Sequence, residues 1–163
     1  MKVLIVYYTK YGNTEKVAKL IAEGIKSIDS NEVIASNVKD VNLKKEESYD
    51  LILIGSPVHF GKHVGSVKKF INKLPKTKLK VNAYAVFNTY MGDESETTEE
   101  GVCSYTRMLD KIEEQISEKL PNIIKVSPGL SIKVEGMKGP ITNEDLPKCK
   151  DFGIRLIQRY KSL

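Results

Sequence analysis

The 163-residue sequence contains no tryptophan and only two cysteines, Cys103 and Cys149, which are far apart and in no CxxC pair. A thiolate site for zinc or an iron–sulfur cluster needs more ligands, so both cysteines are predicted to be free thiols. The chain also lacks a run of about 18 apolar residues, which excludes an ordinary membrane-spanning helix. Met1 and Lys2 lead directly into an apolar segment without a signal-peptide pattern, so we expect a soluble cytoplasmic protein.

Several phosphate-site motifs are missing as well. No GxGxxG follows the first apolar segment, as a Rossmann dinucleotide site requires, and no GxxxxGK[ST] of a P-loop NTPase occurs. A receiver-type signalling domain needs carboxylates where this chain has Thr9 and Ser56, and Asp50 lies at the wrong end of its strand. Cys103 and Arg107 are too close together for the phosphate loop of a low-molecular-weight tyrosine phosphatase. The missing motifs exclude the Rossmann and P-loop sites, and the missing carboxylates disfavour a receiver-type domain.

The net charge of +5 is unevenly distributed. Residues 1–81 carry 15 Lys and Arg against 8 Asp and Glu, whereas residues 82–163 carry 11 against 13. Seven lysines lie between residues 62 and 80, and five acidic residues lie between residues 93 and 100. Two solvated surfaces explain this pattern more simply than a docking patch. Nucleic-acid binding is not expected, because no aromatic residues alternate with the lysines and no helix-turn-helix, RRM or KH motif is present.

Strand-like and helix-like segments alternate along the chain. The hydrophobic patterns predict strands at about 2–8, 33–38, 51–54, 83–87 and 123–134, the last broken by Pro128 and Gly129 into a bulge or two half-strands. They predict helices starting after Asn13 or Thr14 and covering about 67–74, 105–120 and 142–161, with a further helix before the third strand left open. This order predicts an α/β fold with a parallel sheet covered by helices on both faces.

Ligands of such sheets bind beyond the carboxyl ends of the strands. Three segments lie there and are predicted to be loops: residues 9–14, residues 55–65, and the unusually long connection 88–104. The first loop joins an apolar strand to a helix N-terminus, where free backbone N–H groups and the helix dipole attract an anion. Thr9 and Thr14 add hydroxyl donors, and Gly12 allows a positive φ that turns N–H groups inward. The sequence therefore predicts a phosphate cradle.

The chain resembles the flavodoxin-like family over essentially its whole length. The resemblance is carried by Thr9-Lys10-Tyr11-Gly12-Asn13-Thr14, by Gly55-Ser56-Pro57, and by Asn88-Thr89-Tyr90-Met91-Gly92. It implies a single domain, residues 1–163, with a three-layer, doubly wound, five-stranded parallel sheet in the strand order 2-1-3-4-5. It also implies FMN as the cofactor, with the phosphate on the first loop and the flavin ring between the other two.

The resemblance assigns the site residue by residue. It places the phosphate on Thr9, Lys10, Tyr11, Gly12, Asn13 and Thr14, and the flavin ring against Pro57, Val58, His59, Phe60, Gly61, Asn88, Thr89, Tyr90, Met91 and Gly92. Tyr90 is expected to stack on the ring, while His59 and Phe60 compete for the other face. Gly61 is the candidate whose peptide could turn its carbonyl toward flavin N5 when the flavin is reduced, or it is an ordinary turn glycine.

Two features differ from the usual family pattern. Tyr11 stands where the common phosphate loop has Ser or Thr, so it is expected to cover the ribityl chain instead of donating a hydroxyl. Many small flavodoxins are acidic and contain tryptophan in the second loop, whereas this chain is basic and has none. This pattern is more similar to the branch with menaquinone-dependent protoporphyrinogen oxidases and flavodoxin-domain proteins of anaerobes.

Two other groups have simpler explanations than a catalytic one. His59 and His63 are four residues apart, but a glycine between them favours a loop and no third ligand is evident, so no metal site is predicted. His59 could donate a hydrogen bond near the flavin or cap the next helix. Cys103 is more simply explained as a half-buried structural cysteine than as a reactive thiol.

The preferred hypothesis is an FMN-binding electron carrier without a catalytic side chain, which meets a reductase and an acceptor by transient electrostatic docking. An FMN-dependent oxidoreductase acting on a quinone, protoporphyrinogen or NAD(P)H is the alternative. A flavin-free binding module on the same fold is the third possibility.

Overall fold

A computed structural model describes residues 1–92 and 106–163. The described strands are β1 (Lys2–Tyr7), β2 (Glu32–Asn37), β3 (Glu47–His59), β4 (Lys62–His63), β5 (Leu79–Tyr90), β6 (Ile124–Lys125) and β7 (Leu130–Lys133). The described α-helices are α1 (Asn13–Lys26), α2 (Gly65–Lys73), α3 (Arg107–Lys119) and α4 (Leu146–Lys161). A 3₁₀ turn, Leu74–Lys76, continues α2 through Pro75. Residues 38–46, where the sequence left a further helix undecided, contain turns.

The central sheet has the order β2-β1-β3-β5-β6, and β7 also pairs with β5. These pairings are parallel. With β6 and β7 as the two halves of the predicted fifth strand, this is the expected flavodoxin-like order, and the break at Pro128 and Gly129 is confirmed. The less apolar β2 forms one edge, as its composition suits. The small strand β4 returns antiparallel along the end of β3.

Helices cover both faces of the sheet, as the alternating pattern predicted. Alternate residues of β1 and β3 point to opposite faces: Ile5 and Leu53 pack toward α1 and α4, while Val6 and Ile54 pack toward α2 and α3. Burying each large aliphatic side chain contributes about 1.5–3 kcal/mol, so the two apolar layers stabilise the packing of the helices on the sheet.

The helix pair α1 and α4 comes unusually close. A Cβ on Gly24 would lie 2.1 Å from the Lys150 carbonyl oxygen, and a Cβ on Gly153 would lie 2.3 Å from the Ile21 carbonyl oxygen. Each glycine thus admits the backbone of the other helix. Within the described residues, no helix is both long and apolar enough to cross a membrane.

Two predicted loops begin later than the sequence indicated. Residues 55–59 continue β3 and residues 88–90 continue β5, because the two strands stay in parallel register through Ser56 opposite Asn88 and Pro57 opposite Thr89. The Gly and Pro signals suggested a loop, but ladder pairing overrides them. Of the long connection, residues 93–104 lie outside the described residues, as does Tyr105, which was expected to begin the helix now seen from Arg107.

The last helix also starts later than its acidic segment suggested. Thr142 Oγ1 donates to Asp145 Oδ2 at 2.9 Å in a turn that precedes α4, and Pro147 lies in the first turn of the helix. A proline is tolerated there because the first N–H groups of a helix have no internal partner.

Candidate functional site

A cavity of about 450 Å³ opens at the carboxyl ends of β1, β3, β5 and β7. Ligand pockets commonly have volumes of about 300–1,000 Å³, so this cavity can enclose a cofactor-sized molecule. Its walls contain residues from each of the three predicted segments: Thr9, Lys10, Tyr11, Asn13 and Thr14; residues 57–61; and Thr89, Tyr90 and Met91. The structure therefore brings together thirteen of the sixteen predicted residues, and Gly12, Asn88 and Gly92 lie outside the lining.

The first loop is shaped by a local hydrogen bond and a glycine. Thr9 Oγ1 accepts from the Gly12 N–H at 2.9 Å, and Gly12 has φ +93° immediately before α1. The helix ladder starts with Lys16 N donating to Gly12 O at 3.0 Å, and no described side chain caps this end of α1. The first N–H groups of the helix therefore lack an internal acceptor, and the dipole makes this end electropositive.

A buried hydroxyl pair joins the first loop to the centre of the sheet. Thr14 Oγ1 and Thr89 Oγ1 are 2.8 Å apart, and both residues are buried. Either hydroxyl can be the donor, so one hydroxyl hydrogen of the pair is left for another acceptor. The contact fixes the start of α1 relative to the end of β5.

Lys10 and Tyr11 stand at the outer side of the same loop. Lys10 Nζ lies 5.3 Å from the centroid of the Tyr11 ring, within the range of a cation–π contact. Both side chains are exposed although both line the cavity. They add a positive charge and an aromatic face at the cavity mouth.

The second wall is a hairpin and not the open loop that the sequence indicated. Val58 pairs with His63 and His59 with Lys62, so Phe60 and Gly61 form a two-residue turn. Both turn residues have positive φ, +50° for Phe60 and +67° for Gly61, as in the turns that suit the twist of a hairpin. The ring of Phe60 is fully exposed at the tip.

His63 anchors the base of this hairpin to α3. The Gln115 side-chain amide donates to the Lys68 carbonyl oxygen at 3.1 Å and to Asn72 Oδ1 at 3.0 Å, which turns Gln115 Oε1 toward His63 Nε2 at 3.2 Å. Because Oε1 only accepts, Nε2 must carry the hydrogen. His63 Nδ1 is buried and has no hydrogen-bond partner among the described residues. Burial lowers the pKa of His63, and the nearby Lys68 and Lys111 lower it further, while the Gln115 contact opposes them.

His59, in contrast to His63, is exposed. The two histidines therefore occupy different environments within one hairpin. No group of three metal-ligating side chains occurs in residues 1–92 and 106–163.

The third wall is the end of β5. Thr89 and Tyr90 are mostly buried and line the cavity, whereas Met91 is exposed at its mouth. Asn88 is completely buried within the sheet and lies outside the cavity lining. Ser56, opposite Asn88, accepts from the Val64 N–H at 3.1 Å and thereby ties the hairpin to the start of α2.

Sequence reasoning missed a fourth wall, formed by Val134, Gly136 and Met137 after β7. Gly139, with φ +98°, lies against Asn13: a Cβ there would be 2.6 Å from Asn13 Oδ1. The available signal was the position of Gly136 and Gly139 just after the fifth strand, since the carboxyl end of every parallel strand reaches the same edge.

The two cysteines have separate locations. Cys149 is a buried free thiol in α4, and burial raises its pKa to about 11, which makes it unreactive at neutral pH. Cys103, like the acidic run from Asp93 to Glu100, lies outside the described residues.

Comparisons with known proteins agree with this geometry. A family profile described as a flavodoxin domain matches residues 4–132. The flavodoxin of Clostridium saccharobutylicum is 35% identical over 89 residues, covering 55% of this chain and 56% of that protein. A solved flavodoxin from the domain Archaea has a TM-score of 0.74 at 26% identity and covers 99% of each chain. Oxidised flavodoxin 1 of Bacillus cereus has a TM-score of 0.68 at 22% identity, covering 97% of this chain and 98% of that one, which supports the fold alone. The chain spans about half the length of the curated relatives that it matches.

Proposed function

Because this chain belongs to the flavodoxin-domain family, we propose that it binds FMN in the cavity at the carboxyl edge of the sheet and acts as an electron carrier. The observation that carries the proposal is the convergence of the three predicted segments on one cavity of about 450 Å³. Bound FMN would supply the redox chemistry, and the protein would supply binding, orientation and shielding from water.

The end of the cavity at α1 fits a phosphate. The N–H groups in the first turn of α1 lack internal acceptors, and Gly12 adopts a positive φ that a side chain would strain. Thr9 uses its oxygen to accept from Gly12, so its hydroxyl hydrogen remains available as a donor. Lys10 adds a positive charge from outside. A dianionic phosphate would therefore meet donors and a cation, and no carboxylate lines this cavity among the described residues.

The other end fits a flat, largely apolar ring. The apolar and aromatic surfaces here come from Pro57 and Val58 in β3 and from Tyr90 in β5. Val134, which follows β7, also lines the cavity. Tyr90 is the proposed stacking partner, because it is held by burial while it still lines the cavity. Gly61, exposed in the hairpin turn, remains the proposed peptide facing flavin N5.

The proposal includes partners and place. We propose that a reductase and an acceptor protein dock transiently at the cavity mouth, and that the protein acts in the cytoplasm. The flavodoxin of Clostridium saccharobutylicum, which shares 35% identity over 89 residues, supports electron transfer as the shared activity.

The decisive experiment is uptake of FMN by the purified protein. We expect a yellow protein, or a colourless one that quenches the fluorescence of added FMN with a stoichiometry of one. Riboflavin, which lacks the phosphate, serves as the matched ligand and should bind less tightly because it leaves the electropositive end of α1 without an anion. A protein that takes up neither flavin contradicts the proposal.

A second measurement separates the carrier from the oxidoreductase alternative. The FMN-loaded protein is mixed with NAD(P)H and menadione without a reductase. A carrier should show no substantial steady-state turnover, because it receives its electrons from a partner reductase. Sustained turnover under these conditions would reject the carrier.

A further inference from the structure

Exposed apolar side chains are concentrated around the mouth of the cavity. Within residues 1–92 and 106–163, six large apolar side chains are exposed, and four of them line this cavity. These four are Tyr11, Phe60, Met91 and Met137, each from a different wall. Single exposed apolar residues are ordinary on protein surfaces, but four around one opening form a patch, which is typical of an interaction site.

Phe60 is the member of this patch that folding explains least. Its backbone has φ +50°, a conformation that Asn, Asp or Gly adopts readily and that strains a bulky residue. Its side chain is fully exposed, so no packing within the described chain offsets that strain. The position therefore points to a contact beyond the described residues.

Lysines stand beside three members of the patch. Lys10 precedes Tyr11, Lys62 follows the Phe60-Gly61 turn, and Lys138 follows Met137. All three are exposed, and none forms an ion pair with another described residue. An ammonium without a carboxylate partner among the described residues remains available to a partner's carboxylate.

Two sources of negative charge lie near the patch in sequence. Glu135 is exposed in the same loop as Met137. The acidic residues from Asp93 to Glu100 follow Met91 and Gly92 and lie outside the described residues. A binding experiment must therefore distinguish the lysines from the acidic run.

We propose that the rim, defined as the four apolar residues with Lys10, Lys62 and Lys138, docks a redox protein whose own electron-transfer site is an apolar patch surrounded by carboxylates. The proposal rests on the proposed function, because it places the docking surface around the cavity that would hold FMN. Apolar contact would supply the close approach and the lysines the orientation and the encounter rate. A protein partner is favoured because electron exchange needs a second redox centre within reach.

The test is a binding titration followed by amide shifts in NMR spectra of the FMN-loaded protein. The probes are zinc-substituted rubredoxin, which is acidic, and cytochrome c, which is basic. We expect rubredoxin to shift the amides of residues 10–11, 60–62 and 137–138, and to bind more weakly as salt is raised. Cytochrome c should bind less tightly. Stronger binding of cytochrome c, or rubredoxin shifts on another face, overturns the proposal.

The key variant is Lys62→Gln with Lys138→Gln, since neither residue lines the cavity. It should weaken rubredoxin binding about tenfold. The matched control, Lys26→Gln with Lys78→Gln, removes the same charge from exposed positions at the opposite edge of the sheet and should leave binding within about twofold. Equal losses of rubredoxin affinity in the two variants would show an effect of net charge and would overturn the rim proposal.

Two further arms exclude other occupants. If neutralising Asp93, Glu94 and Glu96 weakens cytochrome c binding, and that binding is the stronger of the two, the acidic run is the docking surface and the rim is rejected. Co-sedimentation with vesicles of phosphatidylcholine and phosphatidylglycerol in equal parts, lost in the Lys62 and Lys138 variant, would assign the rim to a membrane surface instead.

FMN uptake is measured on the same samples. Flavin binding without preference for rubredoxin removes the rim proposal and leaves the proposed function intact. If the flavin-free protein prefers rubredoxin but takes up no FMN, the proposed function is rejected and the rim proposal is retained.

Discussion

The two ends of the parallel strands differ in the residues that adopt positive φ. The end at which the strands begin is called the amino edge, and the end at which they finish is called the carboxyl edge. Among the described residues, two non-glycine positions have positive φ: Asp29 at the amino edge, with φ 52°, and Phe60 at the carboxyl edge, with φ 50°. Asp29 is a residue type that tolerates this conformation, and its carboxylate pairs with Lys161 at the end of α4. Phe60 is not such a type and is fully exposed. The amino edge is thus consistent with folding alone, whereas the carboxyl edge keeps a feature that folding does not favour.

Several charges at the amino edge are paired within the chain. At the amino edge, Lys2 Nζ lies 2.8 Å from Glu47 Oε1, and the Lys2 N–H donates to Asp50 Oδ2 at 2.7 Å. Lys45 also reaches Glu47, at 3.1 Å. Lys62 and Lys138 at the carboxyl edge have no ion pair with another described residue, and the same is true of Lys26 and Lys78 at the amino edge. Unpaired lysines thus occur at both edges, and Lys62 and Lys138 differ in lying near exposed apolar residues that line the cavity.

The largest expected effect is on ligand binding at the carboxyl edge. Thr14→Ala should weaken FMN binding by about tenfold or more, because a hydrogen bond to a charged group contributes about 1.5–3 kcal/mol. Riboflavin binding should change by about twofold at most, since it has no phosphate. Fluorescence titration measures both. The control, Thr77→Ala, removes a hydroxyl near the amino edge that donates to the Leu74 carbonyl at 2.8 Å and should alter neither ligand. Equal losses for both flavins in Thr14→Ala would contradict the phosphate assignment.

A smaller effect is expected on stability at the two positive-φ positions. Phe60→Asn should raise the free energy of unfolding by about 1 kcal/mol in urea denaturation, because Asn relieves the backbone strain and no packing is lost. The matched change at the amino edge, Asp29→Asn, should lower stability slightly or not at all, since it removes an exposed ion pair without relieving strain. If Phe60→Asn is destabilising, the ring packs on the chain and the contrast between the edges fails.

The smallest expected effects separate the edges by pH. His63 has a lowered folded-state pKa, so the unfolded chain binds its proton first, and stability falls as pH drops below about 6.5 toward that lowered value. Glu47 has a pKa near 2, held down mainly by its hydrogen bond to Lys2, so its contribution is lost only as pH falls from 4.5 toward 2. Urea unfolding across pH should show that His63→Gln flattens the upper window and Glu47→Gln the lower one. A His63→Gln protein with an unchanged upper window would show that His63 is not held neutral.

Most of the fold could be predicted from the sequence because it depends on short-range patterns. The apolar runs in β1 and β3, the 3/4 spacing in α2 and the break at Pro128 each reflect a local choice, and together they define the layers and the parallel sheet. Strand ends were predicted less well. Gly55 and Pro57 look like loop residues, yet they remain in β3 because the partner strand continues beside them.

The site shows the same division. Thr9 to Thr14 were predicted as a unit, because a glycine-bearing turn before a helix has a recognisable local chemistry. The Thr14–Thr89 contact joins residues 75 positions apart, and the His63–Gln115 contact joins residues 52 positions apart, so neither has a local signal.

The sequence by itself determined the α/β order, the edge of the sheet at which the site lies and the anion-binding turn, because each depends on residues that are neighbours along the chain. The tertiary structure alone decided that the second wall is a hairpin with Phe60 at its tip, that Val134, Gly136 and Met137 form a fourth wall, and which lysines lack a partner among the described residues. These features depend on strand register and packing between distant segments, and such contacts leave no periodic pattern in the sequence.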